Sequence, residues 1–418
     1  MSKKIKFFKI NNVQVVHIPS ESNISAFGVQ VVAGARYENF SNAGVAHFAE
    51  HMFFKGTGLY DWKQQDRLFA KAGASQNAYT GNDLVMYHAT FPEINKDKVI
   101  HLIMDMFFNA TFPEDEMEKE RQVIMEEKRR LLDDADGFFY DSIGENLLEW
   151  QIGHSTIGTF ETIKSLKRKD IIEFLNSRCG IETITIIYVG KESNDLNKII
   201  EDNIPANHPY LSNGKTILYG QKLWNRSSVD NADKIKLTVH RNDITQAQLN
   251  MSIAGLPFNS KHRFAEKILL RGLGGGMYSK LFSRIRQELG LCYSVGFSSY
   301  DLALPEYQMV FLYGGTAPEN IPQFMEESEK VIDTVIRDGM EEEIFECAKA
   351  DLLASTLRST ETSMGKLEYY NSRAAFGECK PIDGIVHNIQ NITIDECNEV
   401  ANILFSGNRN WSVMIPLE

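Results

Sequence analysis

No two cysteines in the chain have C-x-x-C spacing, and the five present (Cys179, Cys292, Cys347, Cys379 and Cys397) are odd in number. This excludes the usual cysteine zinc sites and fits reduced thiols better than a disulfide framework. No run of about 18 or more apolar residues is present, so no membrane span is expected. The opening, MSKKIKFFKINNVQVVHIPS, has lysines but lacks a continuous apolar stretch of signal-peptide length. A cytoplasmic location is the expectation. Positive charge is also short: 44 Lys and Arg against 56 Asp and Glu leave a net charge of −12. Phosphate binding needs a basic face, so no nucleic-acid partner is expected. The tract Gly272-Leu273-Gly274-Gly275-Gly276 lacks the Lys-Ser/Thr of a P-loop, which argues against a phosphate cradle there.

The 418 residues are too many for one ordinary core and suggest two to four domains. A hydrophobic fraction of 43% with 24% charged residues is ordinary for a globular protein. Ile10, Val13 and Val15 alternate with polar residues as a first strand, and AFGVQVVA (26–33) reads as a buried strand. GVAHFAEHMFFKGT is apolar nearly all round and reads as a buried helix ending at Gly56. Further helices are predicted at about 61–72, 95–109, 113–131, 138–151 and 168–177. ASQNAYTGNDLVMYHATF reads as strand, turn and strand, and 183–190 as a strand closing the first half. The polar stretch from Asn203 to about Asn225 reads as a linker. Beyond it the order of elements repeats. IKLTVHR and AQLNMSIAGL read as strands, and a helical segment at about 261–289 is broken by the glycine tract. A strand pair follows, then helices at 318–336, 341–358 and 393–404 and a last strand, NWSVMIPL. The fold class expected is α+β, with two similar sandwich halves of mainly antiparallel sheet and packed helices. The boundaries are residues 1–212 and 227–418.

His47-Phe48-Ala49-Glu50-His51 carries the sharpest chemistry. Residues four apart share a helix face, so His47 and His51 can bind one ion. Glu50 flanks the same site. This is the inverted order of the common H-E-x-x-H zinc motif. The bland alternative is a buried helix whose histidines bond to neighbours, yet two histidines and a glutamate in an apolar helix are costly without a partner. A catalytic zinc needs a third protein ligand and an open position for water. Glu120, Val123, Ile124, Glu127 and Leu131 fall on one helical stripe, read as buried, which turns Glu120 and Glu127 inward. Glu126, Lys128 and Arg129 are expected to face solvent. Glu127 is the best candidate for the third ligand. One zinc per chain would then activate water, with Glu50 as general base, for peptide hydrolysis.

With these residues the sequence resembles the pitrilysin family of inverted zincins, in particular its short processing-peptidase-like members. GVAHFAEHMFFKGT is close to the family's metal helix, and Glu127 follows His51 by 76 positions within an E-x6-E pair begun by Glu120. The resemblance implies Glu120 as a residue that orients the site. SQNAYTGNDLVMYHA (75–89) looks like the family's edge-strand motif, which implies substrate taken up as an added strand at Asn77 and Ala78. GGGMYSKLFSRIRQELGLCYSV resembles the family's R-x6-Y element, which implies that Arg286 and Tyr293 contact substrate backbone. Read without the resemblance, Arg286 is a solvated helix residue and Tyr293 a core residue. GHSTIGTFETI (153–163) departs from the family's longer, proline-containing segment. The half-length relatives imply a homodimer that encloses peptide substrates in a chamber. Two alternatives are a catalytic subunit needing an inactive partner chain and a structural subunit, the latter disfavoured by the complete ligand set.

Overall fold

A computed structural model describes residues 4–211, 223, 233–300, 308–375, 379–407 and 409–417. The expected linker lies largely outside the described residues, as do the boundary residues 212 and 227. The chain forms two compact units, and neither is contiguous. One comprises Met1–Asp133, His154–Leu218 and Arg358–Pro381; the other comprises Asp134–Gly153, Tyr219–Leu357 and Ile382–Glu418.

The first unit holds strands β1 (Lys6–Ile10), β2 (Val13–Pro19), β3 (Ile24–Val31), β4 (Ser75–Thr80), β5 (Val85–Pro92) and β6 (Ile184–Gly190). They form one sheet in the order β1-β2-β6-β3-β5-β4. Only β2 and β6 run parallel. Helices α1 (Val45–Phe53), α2 (Trp62–Lys71), α3 (Lys96–Phe108) and α4 (Glu114–Asp133) lie between the strands in sequence. α2 begins with a capping box, in which the Asp61 side chain accepts from the Gln64 amide and the Gln64 side chain accepts in return. α4 begins with Glu114, Asp115 and Glu116 and has Arg130 in its last turn, as the helix dipole favours.

Alternation along the strands sends Phe27, Val29 and Val31 of β3, with Val85, Tyr87 and Ala89 of β5, into the main core. The opposite face is buried as well, at Ala26, Gln30, Met86, Ile187 and Val189. It is covered by a helix from far along the chain, Ser363–Ala375, which packs on β3 and β6. Leu367, Tyr370, Asn371 and Ala374 are its buried stripe at helical spacing.

The second unit holds β7 (Ile235–Arg241), β8 (Ala247–Gly255), β9 (Cys292–Tyr300), β10 (Gln308–Thr316) and β11 (Asn410–Pro416), in the order β7-β11-β8-β10-β9. β7 and β11 are parallel and the other pairs antiparallel. Strand order and sense thus reproduce β2-β6-β3-β5-β4, so the expected repeat of element order is present. The expected long helix at 261–289 is a helix over Arg263–Gly274 and a π-helical segment over Phe282–Glu288. No described helix is long and apolar enough to cross a membrane.

Two expectations about α4 are corrected. Val123 is 49% exposed rather than buried, and Lys128 is buried rather than solvated. The buried residues are Met117, Glu120, Arg121, Ile124, Met125 and Lys128, a face that keeps Glu120 and Ile124 of the expected stripe and is rotated from it by about a sixth of a turn. Lys128 buries its stem and donates from Nζ to Ser155 Oγ at 2.9 Å.

Candidate metal centre

The site is built on α1, whose start is fixed by backbone and by one carboxylate. Gly44 has φ +89°, and a Cβ there would stand 2.3 Å from the Ile157 carbonyl oxygen. Glycine alone fits both conditions. The side chain of Glu38, wholly buried, accepts from the amides of Gly44 at 2.7 Å and Ala46 at 2.8 Å. His154 Nε2 lies 3.0 Å from the same carboxylate. His154 belongs to the GHSTIGTFETI segment, so the stretch that departs from the related pattern braces the metal helix. Burial pushes the Glu38 carboxyl up, opposed by these hydrogen bonds. Glu38→Ala leaves two helix amides and a ring nitrogen without this partner. It is expected to lower unfolding stability by about 3 kcal/mol, read as a lower urea midpoint at unchanged slope. An unchanged midpoint would mean that other groups hold the start of α1.

One helical turn places His47 and His51 side by side, with ring centroids 4.7 Å apart. Glu127 Oε2 lies 3.7 Å from His47 Nε2 and 3.4 Å from His51 Nε2. Among the described residues, His47, His51 and Glu127 form a group of three whose donor atoms lie within 4.8 Å of one another. Two imidazole nitrogens and a carboxylate oxygen are a donor set that suits zinc. The other side of His51 is held too: Nδ1 lies 3.0 Å from Glu120 Oε2, and Glu120 Oε1 lies 2.6 Å from Lys55 Nζ. A carboxylate behind a ligating histidine fixes its tautomer and ring plane.

Charge is divided unequally between the histidines. Burial, then the neighbouring His51, pushes His47 down to about 4. Burial also acts to lower His51, but the hydrogen bonds to Glu120 and Glu127 outweigh it and push His51 up to about 9. The hydrogen bond from His51 holds Glu127 below the usual carboxylate range. His51 thus favours the charged form and His47 the neutral one. Glu50 stands beside this group. Burial raises its carboxyl, and a hydrogen bond from Thr80 Oγ1 to Oε2 at 2.6 Å offsets part of that rise.

The structure brings His47, Glu50, His51, Glu120 and Glu127 together. Asn77 and Ala78 lie on β4, the last strand of the sheet, with Asn77 Oδ1 accepting from the Ala78 amide at 2.9 Å. Arg286 and Tyr293 belong to the second unit, and the Arg286 guanidinium carbon sits 4.7 Å from the centre of the Tyr293 ring. Tyr293 is 78% exposed, so reading it as core fails. Thr80 and Lys55 were not singled out from the sequence. Lys55 carried a signal, since it continues the four-residue spacing of His47 and His51. Thr80 carried none, because its contact depends on strand pairing.

The insulinase profile (peptidase family M16) matches residues 14–149, and that of the peptidase M16 inactive domain matches residues 165–352. The chain belongs to the M16 peptidase family. An uncharacterised zinc protease of Bacillus subtilis is 26% identical over 393 residues, covering 94% of this chain and 93% of that one. One of Rickettsia felis is 28% identical over 422 residues, covering 100% and 98%. The fold is shared with a protease from Helicobacter pylori, at TM-score 0.87, 19% identity and 99% coverage of both chains. It is also shared with a Pseudomonas fluorescens structure described as a peptidase M16 inactive domain, at TM-score 0.85, 14% identity and 100% coverage of both.

Within this M16 chain the second half carries an echo of the first. The helix after β8 starts Arg263-Phe264-Ala265-Glu266-Lys267, and α1 carries His47-Phe48-Ala49-Glu50-His51. Both histidines are replaced by cations, which offer no lone pair to a metal when charged. Glu266 is buried and accepts from the Leu256 amide at 3.0 Å, a structural use of the acid.

Proposed function

We propose that the protein is a zinc-dependent endopeptidase that cleaves extended peptides or unfolded segments. The observation that carries this reading is the convergence of His47 Nε2, His51 Nε2 and Glu127 Oε2 beside the buried carboxylate of Glu50. Zinc held by those three residues would lower the pKa of water and polarise a peptide carbonyl. Glu50 takes the proton from the attacking water and returns it to the leaving amine. Thr80 orients Glu50, and Glu120, backed by Lys55, orients His51. The free edge of β4, at Asn77 and Ala78, takes the substrate as an added antiparallel strand, which presents an extended backbone and excludes a folded one. Arg286 supplies fixed donors to the substrate backbone, and the exposed Tyr293 hydroxyl supplies another. A homodimer that encloses the substrate, in the cytoplasm, completes the proposal.

Digestion of a mixed peptide library, read by mass spectrometry, tests the reading. Cleavage should stop on chelation and return with added zinc, at about one zinc per chain. Full activity of a demonstrably metal-free sample would overturn the mechanism. Activity that appears only after a second, different chain is added would replace the homodimer with a heteromer.

A further inference from the structure

The edge strand β4 is pinned from both faces at consecutive residues. On one face Thr80 donates to Glu50. On the other, the Tyr79 hydroxyl accepts from Asn371 Nδ2 of the helix Ser363–Ala375. That helix reaches the first unit from beyond residue 357, and Asn371 sits in its buried stripe between Leu367, Tyr370 and Ala374. Asn371 is 1% exposed, and among the described residues its Oδ1 has no hydrogen-bond partner. A leucine at that position would fill the stripe without a half-satisfied amide, so packing alone does not account for the asparagine. Its one polar partner among the described residues is a tyrosine 37% exposed, on a strand already paired with β5 along its length. The tie therefore adds little burial. What it sets is the roll of β4, the angle at which Ala78 and the free edge are presented and at which Thr80 meets Glu50.

We infer that Asn371, acting through Tyr79, is a positioning residue for catalysis: the Asn371–Tyr79 contact holds the substrate-receiving edge and, through Thr80, the general base in register. The inference rests on the reading of β4 as the strand that takes up substrate. A loosened β4 raises KM, because the added strand docks on a less ordered edge. It lowers kcat, because Glu50 loses a fixed partner.

Kinetics of Tyr79→Phe, Asn371→Leu and the double variant test this, with zinc content and melting temperature measured on each. Tyr79→Phe keeps the ring and removes only the hydroxyl. It should keep zinc, melt lower because the buried Asn371 amide loses its partner, and lose about 3- to 30-fold in kcat/KM at temperatures where it is folded, shared between kcat and KM. Asn371→Leu should lose a similar amount, and the double variant no more than either single one, because both remove the same contact. Wild-type kcat and KM in zinc-loaded Tyr79→Phe would overturn the inference, as would losses that multiply in the double variant. A second substrate separates this from failure of the strand reading. A peptide N-methylated on the amides that would pair with β4 should be cut far more slowly than its parent by the wild-type protein. Equal cleavage of the two overturns the strand reading and the inference together. Strong discrimination against the methylated peptide, alongside an unaffected Tyr79→Phe, overturns the inference alone.

Discussion

Glu50→Gln is expected to keep its zinc and lose turnover by about 10²–10⁴-fold or more. Glutamine matches glutamate in shape, and its carbonyl oxygen can still accept from the Thr80 hydroxyl that now reaches Oε2. It cannot take a proton from water. Glu50 is not part of the group of three converging donors, so metal content should stay near one per chain. Elemental analysis beside steady-state kinetics separates the two properties. Loss of zinc without a distinct catalytic defect would make Glu50 a ligand. Thr80→Val refines the test, since the Thr80 hydrogen bond lowers the Glu50 carboxyl from where burial puts it. Its removal should move the acid limb of the kcat/KM profile to higher pH.

His51→Ala should abolish both metal binding and peptide cleavage, and added zinc should not rescue it. Removing His51 leaves His47 and Glu127, two donors where a catalytic zinc uses three. It also strands Glu120 and Lys55, whose pair is built against His51 Nδ1. Glu120→Gln should be milder, with about 10–100-fold loss in metal affinity or activity, because it orients a ligand rather than being one. Zinc content and kcat measured for the two variants should rank them in that order. Retention of full zinc by His51→Ala would remove His51 from the donor set.

Much of this site could be read from spacing. His47 and His51 face one way because a helix turns in 3.6 residues, and Glu120 and Glu127 share a face because seven residues make two turns. On α4, Glu120 and Glu127 reach the histidines, Ile124 is buried and Glu126 and Arg129 are exposed, and the spacing fails at Val123 and Lys128. Val123 reads as inward because it is apolar, whereas Lys128 takes an inward place by burying its stem under a polar tip. Composition cannot register that exchange, because a lysine is counted as charged along its whole length. Most strands and most helices of both halves are legible from alternation and caps, but the one strand expected across Ile10, Val13 and Val15 is the turn of a hairpin between β1 and β2. The helix Ser363–Ala375 is not legible. Its stripe holds an asparagine and an alanine beside Leu367 and Tyr370, a weak apolar signal, and nothing local says that it covers a sheet more than 170 residues upstream. Read without the family resemblance, Tyr293 fails for the opposite reason, since an aromatic at a strand start is usually core and this one stands in solvent.

The late origin of that helix sets a timetable for the protein's birth on the ribosome. β6 ends at Gly190, and the segment that closes the back of the same sheet ends at Ala375. At roughly 5–20 residues per second, those 185 residues take roughly 10–40 s to synthesise. During that interval Ala26, Met86, Ile187 and Val189 have no lid, although every strand of the sheet has been made. A nascent chain in this state exposes an apolar face long enough to need a chaperone, and a chain cut short anywhere before residue 363 would keep it exposed permanently. Premature termination is therefore expected to yield fragments marked for degradation, with no working remnant.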